Sequence, residues 1–475
     1  MKGDFSRLDF DRAGRFSRLL VQQGRVTLDS DANEVSAILL HQLRMLTRHL
    51  FGPAGGPADG GGFALTLDTA RDPARLLINA GHYYVGGILC VAEETYDYAG
   101  QPWHRPPAPD DSGAGGDPLL LWLDSLSPDQ RFWVYLDVWE RHLSWIEDDR
   151  IREPALGGAD TATRAQVVWQ VKALPWEEAW NRDELSARCA APLEALAGIG
   201  SARLAVRLDP GERTDDPCII APDVRYRGAE NQLYRIEIHR GGAASTATFK
   251  WSRDNGSIAA RWLGSERDVL IVSPGRGFRA GDWVELSHEE LELAGQPGEL
   301  VRLTKLEGDR LTTESPPAML WDAELRGACV RRWDQHGHDD LVLRGGAASV
   351  TESSAIEPQW IDIGDGLQIR FKPGGTYRTG DYWTIKASTA TGSIEWPAEA
   401  SGRPQALPPQ GVQHYYAPLG ILSIVDEQAT VESCRRCLAL QTVDCPPAPA
   451  PGDGDQPTRA TRASGRSERR RRPKR

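Results

Sequence analysis

Two periods of apolar residues divide the chain. Val35, Ile38, Leu39, Leu43, Leu46 and Leu50 recur at three- and four-residue steps, which places them on one stripe of an α-helix. Gly52-Pro53 ends the run. At its start Asp31 is followed three residues later by Glu34, a capping box in which one carboxylate accepts orphan backbone N–H groups and the other reaches back to the cap. Just upstream, Val26 and Leu28 alternate with Thr27 after the break at Gly24, the pattern of a short half-buried strand. Burying the aliphatic side chains of the stripe would stabilise the fold by roughly 10 kcal/mol, an upper bound before ordering entropy. The stripe therefore requires a covering surface, supplied by the rest of the chain or by a neighbouring subunit.

Beyond residue 62 the period falls to two. Segments 63–67, 76–78, 83–85 and 88–91 surround Gly81 and Gly86-Gly87 in a hairpin pattern, and 132–138 and 166–171 are strongly β-prone. FRAGDWVEL (278–286) and YRTGDYWTI (377–385) share an Arg-x-Gly-Asp turn feeding a strand, either one common hairpin or a duplicated small domain. The pattern predicts a mainly β, multidomain protein of sandwich- or barrel-like modules with one prominent N-terminal amphipathic helix. In linear order it predicts an arm, short strand and capped helix (1–55), a first β-rich domain (63–175), a helical interval and second β series (176–240), a small β module (241–320) and another β-rich module (321–445). A Pro-rich then Arg-rich tail (446–475) is expected to be disordered.

Composition sharpens this picture in three places. All 16 Trp fall between Trp103 and Trp396, concentrating large rigid anchors in the β-rich middle. The seven cysteines are sparse, which suits a reducing cytoplasm better than a disulfide framework. Nine basic residues and Glu468 give residues 459–475 a charge of +8, so the total of -12 leaves the rest at -20. An acidic body argues against nucleic-acid binding on the folded part, whereas the basic tail could dock on an acidic neighbour. No run approaches the roughly 18 apolar residues of a membrane span, and the start MKGDFSRLDFDRAGRF lacks the apolar core of a secretory signal.

Candidate chemistry is thin. LDSDANE has the alternating acids of a calcium loop but carries Glu34 where the loop needs Gly and Leu40 where it needs Glu. Asp137, Glu140, His142, Glu147, Asp148 and Asp149 match no catalytic or metal spacing, and Asp137 alternates with apolar residues as a solvent-facing strand position would. Trp251, Arg253, Asp254 and Asn255 have the residue types of a sugar-binding loop, Trp for stacking and polar groups for hydroxyls. They read equally as a strand ending in an Asp-Asn-Gly turn. Cys434-x-x-Cys437, with Cys445 beyond, is the one metal-like spacing and lacks a fourth ligand. No phosphate-binding, dinucleotide or serine-nucleophile motif is present. The residues thus call for no cofactor and no catalysis.

Several stretches are long enough to carry a resemblance. KGDFSR and FDRAGRFSRLLVQQGRVTLDSDANE, then GGADTATRAQVVWQVK, ENQLYRIEIH, TFKWSRDNGS, RTGDYW and HYYAPLGIL, resemble an uncharacterised bacterial family encoded in contractile injection system and phage-tail-like gene clusters. The resemblance implies a structural component of such a particle, at its baseplate or spike end. It also implies synthesis in the bacterial cytoplasm without a signal peptide and an extracellular stage within a released particle. Its partners would be the other particle subunits, with homo-oligomerisation open. Phe5, Phe10, Phe16 and Arg25 of the arm, with the helix, are the expected interface. The alternatives are a cell-envelope glycan-binding or glycan-hydrolysing module, acting through the Trp251 loop, and a cargo or effector protein.

Overall fold

The computed structural model describes residues 1–439 apart from 7–9, 105–115, 178–179, 181–184, 198–199, 212–223, 338–340, 355, 357 and 427. Residues 1–438 form one unit. It is mainly β, with several sheets, one closed barrel and one long helix, α1 (Asp29–Phe51). The expected tail lies outside the described residues, as does Cys445.

At the centre of the first body is the strand Phe132–Leu143, FWVYLDVWERHL, almost wholly buried. It pairs antiparallel with Arg164–Pro175 over its entire length and with Tyr415–Val425 on its other edge. Burial of consecutive residues means that both faces are covered. On one face lie Phe63, Leu76, Tyr83 and Trp122; on the other Trp133 and Tyr135 pack with Trp180, Cys189 and Cys434. Asp137 sits inside this body and not on a solvent face. It is 3% exposed, accepts a hydrogen bond from Lys172 Nζ at 2.8 Å and pairs with His414 Nδ1 at 2.7 Å. Two-residue alternation misplaced it because a strand buried on both faces has no outward side.

The other modules are nested and do not follow one another along the chain. A six-stranded sheet centred on Gln232–Arg240, flanked by Thr248–Ser252 and Tyr382–Ser388, faces a three-stranded sheet containing Leu204–Leu208, with Trp251, Phe371 and Trp383 between them. The closed six-stranded barrel, from Ala259–Glu266 to Cys329–Trp333, is inserted between two strands of that sandwich. Tyr415–Val425 then returns to the first body, so the expected segment 321–445 spans parts of three modules, the barrel, the sandwich and the first body. The two Gly-Asp motifs enter strands of different architectures, Trp283–Ser287 in the barrel and Tyr382–Ser388 in the sandwich. Each uses a glycine with positive φ, Gly281 and Gly380, as a common turn.

Cys189 and Cys434 form a disulfide, against the expectation of isolated thiols and against Cys434 as a metal ligand. Cys437 is free and exposed, and among the described residues no group of three or more His, Cys, Asp or Glu could hold a metal ion. The bridge ties the helix Leu185–Ala197 to the chain just beyond Gln428–Ser433 across 245 residues. A loop this long strongly restricts the unfolded chain, so Cys434→Ser should cost about 2–5 kcal/mol. Chemical denaturation with and without reductant checks it: reductant should shift the wild type towards the variant and leave the variant unmoved.

Candidate functional site on the N-terminal arm and helix

The start of the chain is locked into the seam between sandwich and barrel by a buried ionic cluster. Glu237, on the strand Gln232–Arg240, and Glu285, on the barrel strand Trp283–Ser287, are 3% and 5% exposed. Lys250 Nζ bridges them at 3.3 and 2.5 Å and lies 4.3 Å above the Trp333 ring. Arg235 Nε pairs with Glu237 at 2.6 Å, and Lys2 Nζ reaches the same carboxylate at 3.3 Å. Trp333 Nε1 donates to Glu285 at 2.9 Å. Burial alone would push both carboxyls up. The positive charges outweigh it: Lys2, Arg235 and Lys250 hold Glu237 well below the ordinary range, and Lys250, Lys2 and His239 hold Glu285 at about 2.

Asn255 completes the lock. It follows the strand Thr248–Ser252 in the expected Asp-Asn-Gly turn, with positive φ at Asn255 and Gly256. Its Nδ2 donates to the Met1 carbonyl at 3.2 Å and the Gly3 carbonyl at 3.0 Å, while its own carbonyl accepts from Gly3 N at 3.2 Å. Met1 N donates to Tyr382 Oη at 2.8 Å. The rest of the expected sugar loop is likewise occupied by the protein itself. Trp251 is fully buried in the sandwich and cannot stack on a sugar from solvent; Arg253 pairs with Asp365 at 3.3 Å and Asp254 with Arg332 at 2.5 Å. Sequence reading identified the turn but not its ligand, because the groups it holds lie some 250 residues upstream.

From this anchor the arm reaches α1. Phe5 makes an edge contact with His142 at 5.9 Å between ring centres, and Ser6 donates through N and Oγ to Asp29, at 2.9 and 2.6 Å, at the helix start. Phe10 packs on His41 at 5.2 Å. Phe16 is 58% exposed and Arg25 is exposed. The helix begins earlier than expected: Leu28 is the N-cap and Asp31 is the third helical residue, its carboxylate accepting from Leu28 N at 2.9 Å. Asp31 thus makes the reach-back bond assigned to Glu34, and Glu34 lies three residues deeper in the helix. Residues 26–28, expected as a short strand, form none.

How α1 sits reverses its amphipathicity. Its buried residues are Ser30, Ile38 and Thr47. Arg44 pairs with Glu140 at 2.7 Å, and Phe51 stacks on Tyr84 at 4.7 Å. Gly87 admits this approach, since a Cβ there would lie 2.5 Å from the Arg44 carbonyl oxygen. The apolar stripe faces solvent instead: Val35 is 38% exposed, Leu39 60%, Leu43 59%, Leu46 56% and Leu50 52%. Of the stripe only Ile38 is buried. A surface helix ordinarily turns this face to the core; here it is turned outward and left exposed.

Among the described residues no helix is long and apolar enough to cross a membrane. No curated protein and no solved structure matches the chain. Residues 1–190 and 177–446 match one protein family, which together takes in both the arm with its helix and the nested β-modules. The chain therefore belongs to the family of unknown function DUF6519.

Proposed function

We propose that the protein is a structural subunit of a contractile, phage-tail-like injection particle, seated at the baseplate or spike end, where the arm and α1 contact other subunits. The observation that carries this reading is the outward apolar stripe of α1 on a helix held to its own body elsewhere, through the Arg44–Glu140 pair and the Phe51–Tyr84 stack. Its work is contact, not catalysis. The sequence resemblance supports the particle, and the Cys189–Cys434 disulfide fits a stage outside the reducing cytoplasm, as in a released particle.

Purifying particles from the native host with an antibody to this chain, followed by quantitative mass spectrometry, tests the reading. Sheath, tube and baseplate subunits recovered in fixed ratio with the chain are expected. Recovery of the chain without them would overturn it.

A further inference from the structure

The stripe of α1 repeats. Leu28, Leu39 and Leu50 are eleven residues apart; so are Ala32 and Leu43, and Val35 and Leu46, giving two successive 4-3-4 spacings. At eleven residues per three turns, the row of side chains stays nearly parallel to the helix axis for its whole length of about 33 Å, with the slight drift of a right-handed supercoil. All of its members except Ala32 are large, and those are 38–60% exposed; Ala32 is exposed too.

We infer that this stripe is a self-association surface, covered by α1 of further copies of the chain, and that the protein is a homo-oligomer built on that contact. The inference rests on the proposal that α1 is the contact surface and names its partner. Three observations select a second copy. First, a partner helix stays in register along the stripe only if it carries the same eleven-residue period. Among the described residues the other α-helices are Pro118–Ser125, Leu185–Ala197 and the five-residue Glu289–Leu293, all too short to follow it. A symmetric contact supplies the matching period from the helix itself.

Second, charge permits it. Glu34, Arg44 and Arg48 lie on the side of the helix away from the stripe by their spacing, and Arg44 is already paired with Glu140. Ser36 and Gln42 flank the middle of the stripe, while the acidic Asp29 and Asp31 lie beside its N-terminal end, so uncharged residues line the middle of the contact, as the core of an interface requires. Third, the area suffices when the arm is included. Gln42 Nε2 donates to the Ser17 carbonyl at 3.4 Å, which brings the arm alongside the stripe. Phe16, Leu20, Val21 and Val26 of the arm are 58–84% exposed. Half-burying these and the stripe removes about 500 Å² of apolar surface per copy, which with polar atoms at the rim approaches the ~800 Å² per partner of a stable interface.

Sedimentation or light scattering of the purified full-length chain across a hundredfold concentration series tests this. The wild type should show at least twice the single-chain mass of 52.3 kDa. Leu39→Glu with Leu43→Glu should weaken association by about a hundredfold or more, at unchanged circular dichroism, since both side chains are exposed in the single chain. Leu320→Glu, at an 82% exposed position outside α1 and the arm, should leave the mass unchanged. A wild type at single-chain mass throughout, or an oligomer that survives the double substitution, overturns the inference. Should the chain be a monomer yet lose its place in the particle on the double substitution, the particle proposal stands and self-association falls. An oligomer abolished by the double substitution, from a chain absent from particles, supports self-association and removes the particle.

Discussion

Replacing Lys250 by methionine is expected to destabilise the protein by about 3–5 kcal/mol, the largest effect of any single substitution in the anchor. Lys250 Nζ is the one cation that touches both Glu237 and Glu285, and so joins the sandwich strand Thr248–Ser252 to the barrel strand Trp283–Ser287. Methionine keeps the volume against the Trp333 ring and removes the charge, leaving Glu285 buried with His239 Nδ1 at 3.7 Å as its nearest basic group. The cost is the uncompensated carboxylate and not the value of the pair. Adding Glu285→Gln should therefore recover part of it, in a double-mutant cycle read by chemical denaturation. A loss below about 1 kcal/mol for Lys250→Met would mean that the cluster does not hold sandwich and barrel together.

Acid should release the anchor in two stages. Burial, with the neighbouring positive charges, pulls His142 down to about 3 and His239 to about 4, so both are neutral in the fold. The unfolded chain takes up these protons near the ordinary 6.5, so it binds more protons than the fold as the pH falls, and stability drops with it. Each contributes about 3 kcal/mol lost between pH 6.5 and 4. Asp381 works the other way: burial raises it to about 6, so it is protonated earlier in the fold than in the unfolded chain and offsets roughly one histidine. For these three groups together the net loss is about 3 kcal/mol over that window. Below about 4.5 the second stage begins, because Glu285 is held at about 2 and Glu237 well below its ordinary value; their contribution is present above the unfolded pKa and disappears as pH falls towards the folded one. Denaturation midpoints measured from pH 8 to pH 4 check the first stage. In His239→Gln the slope between pH 6.5 and 4 should be shallower than in the wild type, and an unchanged slope would remove His239 from the account.

What was legible in the sequence follows the range of the interactions involved. The presence of α1, its end at Gly52 and the period of its stripe are local properties, and they stand, although the helix starts three residues early; so does the Asp-Asn-Gly turn at Asn255, which needs only two residues of positive φ. Which way the stripe points is tertiary. It depends on Arg44 finding Glu140 and Phe51 finding Tyr84, contacts that no periodicity contains. Asn255 likewise resembled a ligand-binding residue because it is one, but its ligand is the backbone of Met1 and Gly3. Asp137 was misread through the assumption that a strand has one wet face, and the partner of Cys434 was invisible because Cys189 lies 245 residues away on a helix.

The most direct test of the central claim, that the outward face of α1 is an assembly surface, is the reactivity of one thiol in two states. In L43C the new side chain replaces a leucine 59% exposed in the single chain; in L320C the replaced leucine is 82% exposed and outside the arm and helix. Maleimide labelling, read peptide by peptide, should be fast at both positions in dilute protein. In the native assembly, labelling at position 43 should be strongly suppressed while that at 320 is less affected. Equal labelling of position 43 in the dilute and assembled states would leave the stripe of α1 bare in the assembly and contradict the account.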